Sequence, residues 1–430
     1  MTTKELERDK NLRVIEYTFD EDEVRKVEDE VTKYLNQRTE IPGFRKGRVP
    51  KHILKTRLGD IFEEYILDFL TDKVSESIER ERLITLPVVK ERQLIGGSAR
   101  IVVELHEEPS VKLGDLSKIE VQKVDEEKVL ERYVEKRLED LREKHALLEP
   151  KEGPAEIGDL VRVKVDISNE EGKVLTSREY EYVLKEGEDR PFVKDLLGKK
   201  KGDVVEVERE FEGKRYKYVM EVKEVYRRSL LEISDELARV VGNEFETLEQ
   251  LKEALREEGK NIYDVEMKVN MREQLSEKLP DFVEIEISNR TLSLLVEEAI
   301  RRMKRDGRYD QLLESYGDEE KMRKDLEKAI IRDIKFERAV EEFAKEKGIT
   351  VTEEELEKEA EEIAPFWGVS VERAKSIVKS RRDVKEDLEW AVLKRKVLDT
   401  MLELVTVKVV EPVEGGGADE EEGEKAEGNN

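Results

Sequence analysis

The period of the apolar residues changes along the chain, and this limits the fold more than any other feature. Between Gly158 and Val225 the period is two. Val161, Val163 and Val165 alternate with Arg162 and Lys164, Val205 and Val207 flank Glu206, and Tyr216, Tyr218 and Met220 recur at every second position. That alternation belongs to strands with one buried face. Turn sequences at Glu171-Gly172, Lys201-Gly202-Asp203 and Glu212-Gly213 separate the runs, which predicts a small, mostly antiparallel β domain. Beyond Ser229 the period becomes helical. Leu292, Leu295, Val296, Ala299, Ile300 and Met303 share one face, and Trp390, Leu393, Val397, Met401 and Leu404 repeat the theme. Breaks at Gly242, Pro280, Gly307, Gly317, Gly348 and Pro365–Gly368 divide this region into moderate helices, with no solenoid period.

The N-terminal third mixes the two patterns. Residues 11–20 (NLRVIEYTFD) read as a strand, and Asp20 can cap a helix carrying Val24, Val27, Val31, Tyr34 and Leu35. Pro42 and Gly43 stop that helix, and Pro50 can open a short one. A longer helix follows with Phe62, Tyr65, Ile66, Phe69 and Leu70 on one face, then strand-like runs at Ile84–Val89 and Ala99–His106. Residues 125–149 read as another helix, built on Leu130, Val134, Leu138 and Leu141 and ended by Pro150, Gly153 and Pro154. The whole is a multidomain α+β chain, as 430 residues are too many for one ordinary core.

Composition excludes several classes. With no Cys, the chain has no disulfide and no thiol chemistry, and its three His (His52, His106, His145) lack metal-ligand spacing. No apolar run is long enough to span a membrane, and the N-terminus MTTKELERDKNLRV has no secretory h-region, so a soluble cytoplasmic protein without metal or cofactor is expected. The Lys/Glu-heavy, Gln-poor composition fits a thermophile. There is no G-x-S-x-G, P-loop, dinucleotide fingerprint or H-E-x-x-H. Carboxylates are so numerous that a close pair reads first as a solvated helix face.

A net charge of −26 argues against a general nucleic-acid binder. The charge is unevenly spread, however. The acidic, Gly-rich stretch from Glu411 to Asn430 is expected to be disordered. In contrast, Ile41 to Leu58 holds Arg45, Lys46, Arg48, Lys51, Lys55 and Arg57 and no acid. Within it, Pro42 and Gly43 force a turn from which Phe44 and the cations project. Such a tip suits an RNA backbone and an apolar socket on a partner. The alternative is a charged surface turn with Phe44 folded back onto its own helices.

The segment Gly43-Phe44-Arg45-Lys46-Gly47-Arg48-Val49-Pro50 resembles the G-F-R-x-G-x-x-P signature of the bacterial trigger factor family, ribosome-associated folding chaperones at the nascent-chain exit. LREKHALLEPKEGPAEIGDLVRVKV is similar to that family's linker into its isomerase domain. The stretch from EKGITVTEEELEKEAEEIA to VLDTMLELVTVKVVEP resembles its helical body, so the likeness covers Asn11 to Val413 in the family's domain order. The resemblance implies a ribosome-binding α+β domain over 1–114 and a linker helix over 115–149 packed with the C-terminal domain. It further implies an FK506-binding-protein-like prolyl isomerase domain over 150–229, a helical chaperone domain with arm-like extensions over 230–412, and the tail 413–430. Gly43, Phe44, Arg45, Lys46, Arg48 and Pro50 would bind a protein and ribosomal RNA of the large subunit. Nascent and unfolded polypeptides would be the clients, and a weak homodimer off the ribosome is a further implied partner.

In the middle domain the sequence departs from the family pattern. Lys173-Val174-Leu175-Thr176 replaces an aromatic-acid pair, and Arg190-Pro191-Phe192-Val193-Lys194 and Phe211–Tyr216 are contracted loops. Tyr182, Phe192, Leu197, Phe211 and Tyr218 remain as prolyl-pocket candidates, and an ordinary β-domain core accounts for them equally. The fold is therefore expected to persist with isomerase activity weak or absent. Met303, Leu313 and Met322 are the candidate client contacts, against a reading as helix core. The rival readings are a stand-alone prolyl isomerase with a helical docking platform, a secreted periplasmic chaperone and a non-catalytic protein-binding scaffold. The eroded pocket disfavours the first, and the missing signal peptide and the basic loop disfavour the second.

Overall fold

The computed structural model describes residues 1–78, 82–170, 172–187, 191–211 and 214–412, so the tail lies outside the described residues. The chain divides into two units. One comprises Met1–Gln122 with Asn270–Lys408, and the other Lys123–Val269 with the residues from Val409.

The first unit opens with β1 (Thr2–Asp9), β2 (Leu12–Phe19), α1 (Glu21–Arg38), α2 (Lys51–Leu58), α3 (Asp60–Ser77), β3 (Val88–Ile95) and β4 (Ser98–His106). The strands form one antiparallel sheet in the order β1-β2-β4-β3. Ile15 pairs with Val103, Tyr17 with Ile101 and Phe19 with Ala99, so their side chains share one face. That face packs on Val24, Val27, Val31 and Leu35 of α1 and Phe62, Ile66 and Leu70 of α3. Asp20 caps α1 as expected: its Oδ1 accepts the Glu23 N–H at 2.9 Å, and Glu23 Oε2 accepts the Asp20 N–H at 3.1 Å.

Two expectations for this region change. β1 has no apolar pattern because all eight of its residues are exposed on the sheet edge, held by the backbone ladder to β2. The run expected as a strand from Ile84 begins only at Val88, because Ile84 packs instead with Leu292 and Ile334 in a separate cluster.

The rest of the unit holds β5 (Ser110–Leu113) and β6 (Glu120–Val124), followed after the second unit by β12 (Val283–Glu286), α8 (Asn289–Arg305), α9 (Tyr309–Tyr316), α10 (Glu319–Lys347), α11 (Glu353–Ile363), α12 (Val371–Ser380), α13 (Arg382–Leu402) and β13 (Thr406–Val410). β12 pairs with β5, and β13 with β6. These short strands qualify the expectation of a helical C-terminal region; their partners lie more than a hundred residues away in sequence. Val121, Leu275, Val283, Phe343, Val397 and Met401 centre one core, and Leu356, Ala360, Ala374 and Val378 another beneath α11–α13.

A buried polar joint ties the β1–β2 turn to the start of α8. Asn11 Nδ2 donates to the Glu107 carbonyl at 2.8 Å, and Asn11 Oδ1 accepts the Ser288 N–H at 2.8 Å and the Thr291 hydroxyl at 3.3 Å. The Thr291 oxygen is then left to accept from His106 Nδ1, 2.9 Å away. Ser288 Oγ donates to Asp9 at 2.7 Å, and Arg290 pairs with both Glu7 and Glu104.

The second unit contains α4 (Glu126–Lys144), β7 (Leu147–Pro150), β8 (Leu160–Asn169), β9 (Val174–Val183), α5 (Pro191–Lys194), β10 (Val204–Phe211), β11 (Lys214–Ser229), α6 (Asp235–Val241) and most of α7 (Leu248–Lys278). The sheet runs β10-β11-β8-β9, with β7 on the end of β11. The helix expected to reach residue 149 stops at Lys144, because Leu147–Pro150 pairs with Tyr226–Ser229. Leu138 of α4 packs with Ala238 of α6 and Leu251 and Leu255 of α7. Among the described residues no helix is long and apolar enough to cross a membrane.

Candidate functional site

The basic loop joins α1 to α2 and is pinned at both ends. Ile41 and Val49 are buried in the α1–α3 core. Asn36, also buried, grips Val49 from both sides: its Nδ2 donates to the Val49 carbonyl at 2.9 Å, and its Oδ1 accepts the Val49 N–H at 2.8 Å. Between the pins the chain makes two tight turns, with Phe44 N–H bonded to the Ile41 carbonyl at 3.1 Å and Arg48 N–H to the Arg45 carbonyl at 3.0 Å. Gly43 and Gly47 have φ of +94° and +82°, a region that L side chains rarely adopt, so these turns require glycine. The result is a braced projection on which Gly43, Phe44, Arg45, Lys46, Arg48 and Pro50 are all exposed. Phe44 is 42% exposed and is not folded back onto its helices.

The six cations of the segment are not equivalent. Lys51 lies 2.9 Å from Asp29 and 3.2 Å from Glu28, and Lys55 lies 3.2 Å from Glu28. The hydrogen bond to Asp29, and then that to Glu28, raises the Lys51 ammonium above its ordinary range against an opposing effect of burial. Lys46 makes a loose 3.6 Å contact with Glu40. Arg45 and Arg48 have no ion-pair partner among the described residues. The free charge thus sits at the tip, next to the exposed ring.

In the second unit, a pocket of about 210 Å³ opens beside α5, lined by Ile157, Leu184, Val193 and Leu197 with Lys185 and Lys194. Of the five prolyl-pocket candidates, Leu197 lines it. Tyr182 stacks on Tyr180 with ring centroids 6.1 Å apart and faces Val161 of β8; Tyr218 faces Ile167 of the same strand. Six residues of strand separate these positions, about 20 Å, so the two tyrosines do not share a pocket and both pack on the sheet's own core. The side chains of Phe192 and Phe211 lie outside the described residues.

The client candidates separate as well. Met303 on α8 and Leu313 on α9 are half-buried, but Met322 is 0% exposed, so it is corrected to a core residue. It sits in the first turn of α10, the helix that packs against α8 and α9. Sequence reasoning treated Pro365–Gly368 only as a helix break and missed what the turn displays: Phe366 is 89% exposed and Trp367 40%. The available signal was the absence of charge from Ile363 to Val371, nine residues in a chain that is 44% charged.

Comparison with known proteins agrees along the whole length. The family model described as bacterial trigger factor protein matches residues 1–141, and that for the bacterial trigger factor C-terminus matches 247–403. A trigger factor of Thermotoga neapolitana is 68% identical over 99% of this chain and 100% of its own length. That of Kosmotoga olearia is 40% identical over 94% of each chain. A solved structure of a trigger factor chaperone, described for promiscuous substrate recognition in folding and assembly, matches with a TM-score of 0.89 at 66% identity, covering 94% of this chain and 99% of that one. On these grounds the chain belongs to the bacterial trigger factor family and is a ribosome-associated molecular chaperone.

Proposed function

We propose that the α1–α2 loop is the part of the molecule that docks on the large ribosomal subunit, against a ribosomal protein and ribosomal RNA at the tunnel exit. The observation that carries this reading is the braced tip itself, an exposed Phe44 beside unpaired Arg45 and Arg48 in a chain of net charge −26. Phe44 is the desolvated anchor, Arg45 and Lys46 supply charge to phosphate, and Gly43, Arg48 and Pro50 shape and extend the contact. Replacing Phe44, Arg45 and Lys46 together by Ala should abolish co-sedimentation with ribosomes while leaving the circular dichroism spectrum unchanged. Co-sedimentation at the wild-type level would refute the assignment.

The same reading places residues 1–114 as the docking domain, 150–229 as the isomerase-type domain, and 115–149 with 230–412 as the surface that shields nascent chains in the cytoplasm. It includes a weak homodimer off the ribosome, which sedimentation at rising protein concentration tests. Isomerisation needs no nucleophile, only an apolar, aromatic pocket that favours the twisted amide over a barrier of about 18–20 kcal/mol. The described pocket is lined by aliphatic groups and lysines, with Tyr182 and Tyr218 placed elsewhere. The middle domain therefore turns over prolyl bonds weakly or not at all. Robust turnover of a Phe-Pro peptide in a protease-coupled assay would overturn this.

A further inference from the structure

The turn between α11 and α12 carries the most exposed large apolar side chain among the described residues, Phe366 at 89%, beside Trp367 at 40% and Val371 at 38%. Exposure of this kind is unremarked in a loose loop, but this turn is held. Trp367 N–H donates to the Ile363 carbonyl at 3.1 Å, Gly368 N–H to Pro365 at 3.1 Å and Val369 N–H to Ala364 at 3.2 Å. Beneath it, Ala360 and Ala364 are buried in the α11–α13 core. The small side chains inside let the helices close, and the large rings are left outside.

From these observations we propose that the Phe366–Trp367 turn is an anchor for apolar segments of non-native polypeptide. This rests on the chain's being a chaperone and names the part that takes the client. The choice of occupant follows from charge. Nine consecutive residues, Ile363 to Val371, carry no ionisable side chain in a protein of net charge −26. A nucleic acid needs cations beside its stacking rings, and none stands within this stretch. An uncharged, apolar side chain on a flexible backbone is what two exposed rings can desolvate, and rigid aromatic anchors bind at low entropic cost.

The test uses the full-length protein and a labelled, Trp-free, unstructured 20-residue peptide with a Leu/Ile/Phe centre. Wild-type protein should bind it by fluorescence anisotropy and show a blue shift of Trp emission, and Trp367→Phe should abolish the shift while Trp390 stays in place. Phe366→Ser with Trp367→Ser should weaken peptide binding about tenfold, the loss expected on removing a buried aromatic anchor, and leave ribosome co-sedimentation unchanged. Both substitutions fall on exposed side chains, so the circular dichroism spectrum serves as the folding control. Peptide binding with no emission shift and no loss in the double variant would overturn the proposal and leave the chaperone reading intact. An emission shift that follows protein concentration rather than peptide would also overturn it, assigning the turn to a second copy of the chain. Failure of the wild type to bind the peptide at all would overturn both.

Discussion

Asn36→Ala is the sharpest perturbation of the docking loop, because it touches no exposed residue of the tip. The side chain makes two hydrogen bonds to Val49, at 2.9 and 2.8 Å, and both residues are buried. Truncation leaves the Val49 N–H and C=O without partners in the core, at a cost of roughly 1–3 kcal/mol for each group, less any relief from local opening. A local destabilisation of about 2–4 kcal/mol follows. It converts to a roughly 30- to 1000-fold loss of hydrogen-exchange protection at the Val49 amide. Exchange read on peptides covering 41–54 is the right assay, since a chain of several cores has no single unfolding free energy. Ribosome affinity should fall in parallel, because docking must then reorder the loop. Asn36→Asp keeps the acceptor for Val49 N–H but loses the donor to its carbonyl, and should lie between. Exchange at Val49 within about threefold of wild type would refute the bracing argument. Lost protection with unchanged ribosome affinity would refute the link from bracing to docking.

Arg45→Ala and Arg48→Ala should each lower the salt dependence of ribosome binding by about 0.7–0.9 in the slope of log K against log salt. Lys55→Ala should change it little, being already paired with Glu28. Glu28→Gln removes the carboxylate that holds both Lys51 and Lys55; association should quicken at low salt, with the gain vanishing as salt screens it in stopped-flow measurements. A Cβ at Gly259 of α7 would stand 2.6 Å from the Tyr133 ring on α4. Gly259→Ala should therefore lose about 1–3 kcal/mol to overpacking, more than the ~1 kcal/mol of helix propensity gained, and Tyr133→Ala should relieve it in a double-mutant cycle by denaturant unfolding. Burial, with a smaller contribution from Lys90, pushes the His106 imidazole below its ordinary value of 6.5. The unfolded chain then takes the proton first, so this stabilisation is full above that pH and is lost as pH falls through the lower folded value. Exchange protection in β4 and at the start of α8 should decline below about pH 6.5, and His106→Asn should flatten the profile.

What could be read in advance depended on how local the cause was. The cap of α1 lies within four residues of its partner, and the Val24–Leu35 stripe is a property of one helix, so both were legible. β1 was invisible because its eight residues are exposed and only the ladder to β2 makes it a strand. β12 was missed because Val283 finds its partner at Leu113, and β7 was taken for helix because its partner lies in β11. The same division runs through the site. Phe44 and the cations announce themselves in one stretch, while the neutralisation of Lys51 and Lys55 is decided by Glu28, on the preceding helix. Tyr182 and Tyr218 looked like pocket residues until the register on β8 put them at opposite ends. Met322 shows the limit of periodicity, since a core face and a client face carry the same pattern.

The two exposed aromatic features of the first unit differ in what surrounds them, and this difference has a consequence. Phe44 stands among Arg45, Lys46 and Arg48, so most of its partner's attraction is ionic and weakens steeply with salt. Phe366 and Trp367 stand in an uncharged stretch, where contact depends on desolvating apolar surface and is insensitive or slightly favoured as salt rises. One molecule thus carries a contact that can be released by competing ions and another that cannot. Raising salt should strip the protein from ribosomes while a bound apolar peptide stays in place, and a negative body charge of −26 keeps the freed, client-loaded molecule from rebinding RNA through any other face. Where the charge sits, more than how much of it there is, separates docking from holding.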